Sequence, residues 1–344
     1  MSLDPETWSL GLLVSAFVVL ALGIVLGGTA LTRKADQIAE ITGISAALVG
    51  AMLLGATTSL PGTVLSVSTA FQGQPDIAIG NAIGGIVAQT AFLAIADLTY
   101  RGGNLEHAAA SISTLMQGAL LLGLLALPLI AMSLPEFTLF AVHPVSPVLI
   151  LAYAFGLRLI DQAERRPMWR PTPEVREKTI AEKGEQLPAR APWLGFAVLT
   201  LVAGGLGFAL GEVGVALSAR TGLSQTAVGA AFTAVVTSFP ELITAIAAVR
   251  RGALQLAVGG IIGGNAYDVL FLAFSDAAYR DGSLYHAFAD DHVLLIALSV
   301  LMTSFLLLGM LKRERFGPAS IGFESVAVLA VYVLSLIRLF FSNS

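Results

Sequence analysis

The sequence predicts an all-α membrane protein: ten transmembrane helices arranged as two inverted five-helix repeats. Three observations carry that expectation. Apolar residues make up 56% of the 344-residue chain and charged residues only 12%, about half the charge of an ordinary soluble domain. The apolar residues gather into stretches long enough to cross a bilayer, which takes about 20 residues each. Residues 42–108 align without a gap on residues 221–287, 179 positions later, with 25 identities in 67 positions. The composition excludes a soluble enzyme and a disordered chain. A net charge of −4 with no basic excess excludes a nucleic-acid partner. The absence of cysteine removes disulfides, thiolate metal sites and cysteine nucleophiles.

The ten stretches are 8–31, 40–71, 76–99, 107–132, 137–160, 192–217, 223–249, 254–279, 289–311 and 318–342. Their glycine and serine content favours close helix packing in lipid. The alternating pattern of a membrane barrel is absent. The acidic start, with Asp4 and Glu6 and no basic residue before the first span, is unlike a signal peptide. The first stretch is therefore expected to be a retained helix with its N-terminus outside.

Basic residues orient the rest. Odd-numbered loops hold Arg33, Lys34, Arg101, Arg158, Arg165, Arg166, Arg170, Arg176, Lys178, Lys183, Arg190, Arg250, Arg251, Lys312, Arg313 and Arg315, against Arg220, Arg280 and Arg338 on the other side. The positive-inside rule makes the odd loops cytoplasmic and both termini external. The expected division is a first repeat at 1–160, a cytoplasmic linker at 161–191 and a second repeat at 192–344. The linker mixes charge with Pro167, Pro171, Pro173 and Pro188 and is too short for a core of its own. A short helix is expected at 174–185. The cell (inner) membrane is the expected location.

The duplication pairs Pro61 with Pro240, Asp97 with Asp276, Arg101 with Arg280 and His107 with His286. Each half has five spans, so the second copy must enter the membrane from the opposite side. Inverted repeats of this kind build secondary transporters that bind substrate near the midplane.

Two carboxylates, Glu241 and Asp268, fall in mid-span with no mid-span Lys or Arg beside them. A bare carboxylate at that depth costs several kcal/mol, so a cation or proton must neutralise each. Counting about 1.5 Å per residue from the Arg250–Gly252 turn puts both near the midplane. Pro61 and Pro240 interrupt their helices, freeing carbonyl oxygens beside Thr58, Ser59, Thr237 and Ser238. Oxygen donors of these kinds suit hard cations. Gly80, Gly84, Gly85, Gly259, Gly260, Gly263 and Gly264 permit close backbone approach. The alternative is a proline kink with small-residue packing and protonated acids.

The segments TSLPG at 58–62 and TSFPE at 237–241, each followed by a GNAIGG- or GGIIGGN-type stretch, resemble the two alpha-repeats of the cation/Ca2+ exchanger superfamily. The resemblance covers both repeats, 42–108 and 221–287. It implies alternating access, with the first and sixth helices sliding past an ion-holding core. It also implies cation ligands at Thr237, Ser238, Glu241 and Asp268 in the second repeat and at Thr58, Ser59 and Gln89 in the first, with Glu241 and Asp268 as the charged ligands. Gly62 stands where the family carries a glutamate, and Gly85 and Gly264 where it often carries serine. Two carboxylates in place of the usual three balance one divalent ion, two monovalent ions or two protons.

Weaker signals have plainer readings. Asp97 with Arg101 and Asp276 with Arg280 have the spacing of helix-end ion pairs. His286, Asp290, Asp291 and His292 could ligate a metal, although Asp290 and Asp291 fit better as helix caps. Glu212 reads as an interfacial or entrance charge, and Glu40 as the partner of the second helix's N-terminus.

The expected function is a secondary cation antiporter, exchanging a cation such as Ca2+ against Na+ or H+. A K+ or Na+/H+ antiporter, and a channel or non-transporting sensor on the same fold, remain open. No HExxH or Ser-Lys pair points to an intramembrane enzyme. No resident cofactor is expected; the expected partners are the lipid bilayer and inorganic cations. The sequence sets no oligomeric state.

Overall fold

A computed structural model describes residues 5–42, 55–100, 103–165, 190–312 and 322–341. The helices are α1 Leu10–Thr42, α2 Gly55–Thr58, α3 Leu60–Phe71, α4 Pro75–Thr99, α5 Leu105–Ala109, α6 Ile112–Ser133, α7 Val145–Arg165 and α8 Arg190–Thr221. After them come α9 Gln225–Thr237, α10 Phe239–Arg251, α11 Leu254–Asp268, α12 Leu270–Ala278, α13 Asp290–Lys312 and α14 Phe323–Phe341. Among the described residues, eight helices are long and apolar enough to cross a bilayer, or nine with α9 and α10 taken as one bent span. The protein is an integral membrane protein with an all-helical fold.

Local chemistry sets the ends. Pro75 opens α4, where a missing N–H costs nothing. Ser111 and Thr114 form a reciprocal capping box on α6. Gly252, at φ 81°, closes α10 in the left-handed conformation that only glycine adopts freely.

Several expected boundaries move. The first helix runs on to Thr42, so Glu40 lies near its C-terminal end and does not start the second helix. Of the stretch 40–71, residues 40–42 belong to α1, residues 43–54 lie outside the described residues, and the remainder breaks at Ser59. The stretch 137–160 becomes helical only at Val145, because Leu139 and Val142 pair across a tight turn. The stretch 254–279 is interrupted at Val269. Most of the linker, 166–189, and the expected helix at 174–185 lie outside the described residues.

α4 is the central strut. Its apolar window is entirely buried, against 11% for α1. It packs on α3, α9, α10, α11, α13 and α14. Backbones meet closely where it crosses α9: Cβ atoms at Gly80 or Gly229 would press on backbone atoms of the facing helix, so neither position tolerates a side chain. α1 and α8 pair with each other and turn leucines and valines outward, Leu26 at 70% and Leu201 at 78% exposure, as lipid-facing helices do.

Two contacts repeat at the 179-residue spacing. Gly28 of α1 lies against Pro240 and Gly207 of α8 lies against Pro61. Likewise Asp97 accepts hydrogen bonds from Leu105 N (2.8 Å) and Ser325 Oγ (2.9 Å), while Asp276 accepts them from Leu284 N (3.0 Å) and Ser146 Oγ (2.6 Å).

Candidate cation-binding site

The two proline-containing helices break in the same way. Ser59, at φ −82° and ψ 1°, separates α2 from α3, and Ser238, at φ −94° and ψ −2°, separates α9 from α10. Each proline sits in the first turn of the following helix, where it has no N–H to waste. The second break bends the span by 41°. Glu241 thereby enters the first turn of α10, where the helix dipole favours a negative charge. Asp268 ends α11 immediately before the Val269 interruption.

The fold brings every sequence-predicted site residue to one buried region between these breaks and α4. Ser59 Oγ donates to Glu241 Oε1 at 3.1 Å, and Thr58 lies against the same carboxylate. Gln89 Nε2 donates to Asp268 Oδ2 at 2.6 Å and to Ser238 Oγ at 3.2 Å. Thr58, Ser59, Gln89, Thr237, Ser238, Glu241 and Asp268 are all at most 5% exposed. Thr237 departs from expectation: its hydroxyl serves Asn81 Oδ1 (3.3 Å) and Ala234 O (3.2 Å), and no bond joins it to either acid.

Asn81 is the residue that sequence reasoning missed. Its Nδ2 donates to Gly62 O (3.1 Å) and Ser66 Oγ (2.9 Å), and its Oδ1 accepts from Thr233 (3.2 Å) as well as Thr237. A Cβ on Gly62 would lie 3.4 Å from Asn81 Nδ2 and 3.1 Å from Phe271. The ground that a glutamate at 62 would enter is thus held by a neutral amide and an aromatic ring. The available signal was Asn81 inside the GNAIGG stretch, where the second repeat has Gly260.

Three buried oxygens in this region have no hydrogen-bond partner: Glu241 Oε2, Asp268 Oδ1 and Gln89 Oε1. Buried acceptors left bare are rare and costly. No Lys or Arg forms an ion pair with either acid among the described residues. The donor set of carboxylate, amide and hydroxyl oxygens is what a hard cation takes. Gly85 and Gly264 leave room: a Cβ on the first would lie 3.5 Å from Asp268 Oδ2, and on the second 3.3 Å from Gln89 Oε1.

A small pocket extends from this region toward the end of α10. Thr32, Thr58, Glu241, Thr244 and Ala248 line it, and Arg251 stands at its end. Toward the opposite end of α3, Gln72 donates to Glu212, and Gln225 to Gln74; Glu212 is thus tied to the loop after α3.

The weaker signals resolve differently. Asp276 makes no ion pair with Arg280. The chain turns extended at Tyr279, so Arg280 leaves the helix face and points to solvent. The carboxylate instead binds His143 N at 2.7 Å, Ser146 and Leu284. Arg101 lies outside the described residues, and Asp97 likewise satisfies itself on a backbone N–H and a serine. The His286–His292 group does not converge. His292 is fully buried and bonds Ala289 N and Thr226 Oγ1, each at 3.0 Å, whereas His286 reaches Leu134 O at 2.9 Å. Asp290 and Asp291 occupy the first turn of α13, where the dipole favours them. No group of three or more His, Asp or Glu among the described residues could hold a metal ion.

Comparison with known proteins gives consistent matches. The family described as sodium/calcium exchanger protein matches residues 12–159 and 191–341. The inner membrane protein YrbG of Escherichia coli (strain K12) is 26% identical over 302 residues, covering 84% of this chain and 87% of that one. The solved structure of native YfkE superposes with a TM-score of 0.66 at 16% identity, over 94% of this chain and 91% of the other. The sodium-calcium exchanger NCX_Mj, soaked with 10 mM Na+ and 10 mM Sr2+, gives 0.63 at 19% identity, over 96% and 99%.

Proposed function

The chain belongs to the sodium/calcium exchanger protein family, a family of transporters and not of enzymes, and from that premise we propose a cation antiporter with a two-carboxylate site. It exchanges one divalent cation, such as Ca2+, against Na+ or H+ by alternating access. Glu241 and Asp268 carry the charge, and Gln89, Ser238, Ser59 and Thr58 supply neutral oxygens. One observation carries this reading: among the described residues, Glu241 Oε2, Asp268 Oδ1 and Gln89 Oε1 are buried without hydrogen-bond partners, and no base is ion-paired to either acid. A travelling cation satisfies all three at once.

Two negative charges set the stoichiometry. They balance one divalent ion, or two monovalent ions or protons, on the return step. The paired Gly28–Pro240 and Gly207–Pro61 contacts support two inverted repeats in which α1 and α8 slide across the breaks. The cavity ending at Arg251 supports a conformation open on that side. The distribution of basic residues makes this side cytoplasmic and both termini external, and the relative from Escherichia coli supports an inner-membrane location.

Counter-ion flux in proteoliposomes tests the reading. Uptake of Ca2+ driven by a Na+ or H+ gradient, with at most two monovalent charges returned per divalent ion, is expected. A ratio of three or more Na+ per Ca2+ overturns it, and flux without any counter-ion indicates a channel.

A further inference from the structure

At the end of α4, far in sequence from the central pair, three carboxylates meet: Asp97 from α4, Glu106 from α5 and Glu324 from α14. Each is 0% exposed. Ser325 Oγ lies 2.9 Å from Asp97 Oδ2 and 3.3 Å from Glu106 Oε1. Leu105 N donates to Asp97 Oδ1, and Asn104 Nδ2 donates to Glu324 Oε1. Glu106 Oε2 and Glu324 Oε2 are buried with no partner. A Cβ on Gly309 or Gly322 would collide with Glu324, so those glycines make the space its carboxylate fills.

The counterpart 179 residues away shows what the arrangement requires. There Ser146 donates to Asp276 Oδ2 at 2.6 Å, and Tyr285 OH lies 3.0 Å from Ser146 Oγ. The serine's one proton goes to the aspartate, so the tyrosine must donate to the serine. Glu106 occupies the position of Tyr285, and Ser325 that of Ser146. With the Ser325 proton on Asp97, the contact between Glu106 and Ser325 is a hydrogen bond only when Glu106 carries a proton. Glu324 replaces Val145, an apolar residue, and it too lies buried with one bare oxygen.

We propose that Asp97, Glu106 and Glu324 form a second ion site, whose ligand is the hydrogen ion: Glu106 holds a proton at neutral pH and shares the Ser325 hydroxyl with Asp97. Asp97 alone has donors on both of its oxygens. The charged groups acting on Glu106 are the carboxylates of Asp97 and Glu324, both of like sign. Burial first, and then those two neighbours, push the Glu106 carboxyl well above the usual carboxylate range. From the other elements packed here, α13 presents the Gly309 backbone and Lys312, whose ammonium lies 4.8 Å from the Phe323 ring centre. α11, which packs on α5, carries its one acid, Asp268, at its far end, and α6 presents Ser111, Thr114 and Gln117. His107 shares α5 with Glu106, and Arg101 lies outside the described residues. Among the described residues the trio has no metal geometry, and the proton on Glu106 is the neutralising ion.

The sign follows from the raised affinity. A carboxyl that binds its proton more tightly when folded stabilises the fold at acid pH, and that stability is lost as pH rises through the folded-state value. Infrared difference spectra of the purified full chain between neutral and alkaline pH, compared with Glu106→Gln and Glu324→Gln, test the proposal. The wild type is expected to lose protonated-carboxyl absorbance on alkalinisation, Glu106→Gln to lose less, and Glu324→Gln, which removes a like charge beside Glu106, to lose it at lower pH. The central acids are common to all three proteins and cancel. The melting temperature of the wild type should fall toward alkaline pH, and that of Glu106→Gln should fall less. If a glutamine variant fails to fold, Ser325→Ala keeps all three acids and should shift the band by removing the shared hydroxyl. Unchanged absorbance and an unchanged pH–melting profile overturn the proposal. So does a divalent metal that co-purifies with the wild type and is missing from both variants.

Discussion

Residues 58–89 and 237–268 are two versions of one structure, and they differ in charge. Both place a Thr-Ser pair before a proline, and both break at a serine whose φ and ψ agree within about 12°. The later segment carries Glu241 and Asp268; the earlier carries Gly62 and Gln89. Where the earlier wall has no carboxylate, Asn81 ties the Gly62 carbonyl to Ser66 and Thr237 with neutral hydrogen bonds. The backbone break therefore survives without the acid that accompanies it on the other side. The break belongs to the scaffold and does not depend on the acid.

The comparison can be broken most severely on the charged wall. Glu241→Gln and Asp268→Asn should each abolish cation transport in proteoliposomes. The affinity lost should exceed the 10–100-fold, roughly, that outer partners of a metal site contribute. Full activity in the double variant would mean that the two walls do not differ in function.

Restoring charge to the neutral wall is the converse. Gly62→Glu, paired with Asn81→Gly to clear the amide, should raise the monovalent charge returned per divalent ion by one. The readout is the reversal potential of the exchange in proteoliposomes. An unchanged ratio would show that charge at position 62 does not enter the site.

The sliding contacts offer a finer test. A Cβ on Gly207 meets the Pro61 backbone, whereas one on Gly28 meets only the Pro240 ring. Backbone cannot yield as a ring can, so Gly207→Ala should destabilise by about 3 kcal/mol and Gly28→Ala by about 1 kcal/mol. Melting temperatures read the difference. In this cysteine-free chain, a single Thr244→Cys should label from the Arg251 side in the Gly28→Ala background. Equal effects of the two alanines would erase the asymmetry between the contacts.

The smallest effect is expected at Glu212. It is bound by Gln72 at a partly exposed position, and Glu212→Gln should change stability by no more than about 0.5 kcal/mol and leave cation affinity unchanged.

Much of the site could be read in advance because membrane burial makes charge conspicuous. Glu241 and Asp268 stood out as acids without bases, and the duplication located Thr58, Ser59 and Gln89. Asn81 did not stand out, because a neutral amide in a glycine-rich helix looks like packing until its four partners converge on it. Helix ends suffered in the same way. Glu40 is expected to start a new helix and Arg280 to continue a helix face, but α1 runs past the first and the chain turns extended before the second.

By itself the sequence determined the membrane environment, the helical class, the duplication and the two mid-span acids with no base beside them. Each follows from local composition or a fixed repeat, since hydropathy and burial cost are properties of the residues themselves. Only the tertiary structure decided that Thr237 serves Asn81, that Asp276 turns inward from Arg280, and that Glu106 meets Glu324 across 218 positions. Those outcomes depend on which polar group first reaches a buried donor or acceptor. Residues from distant parts of the chain supply that group, and no local pattern encodes it.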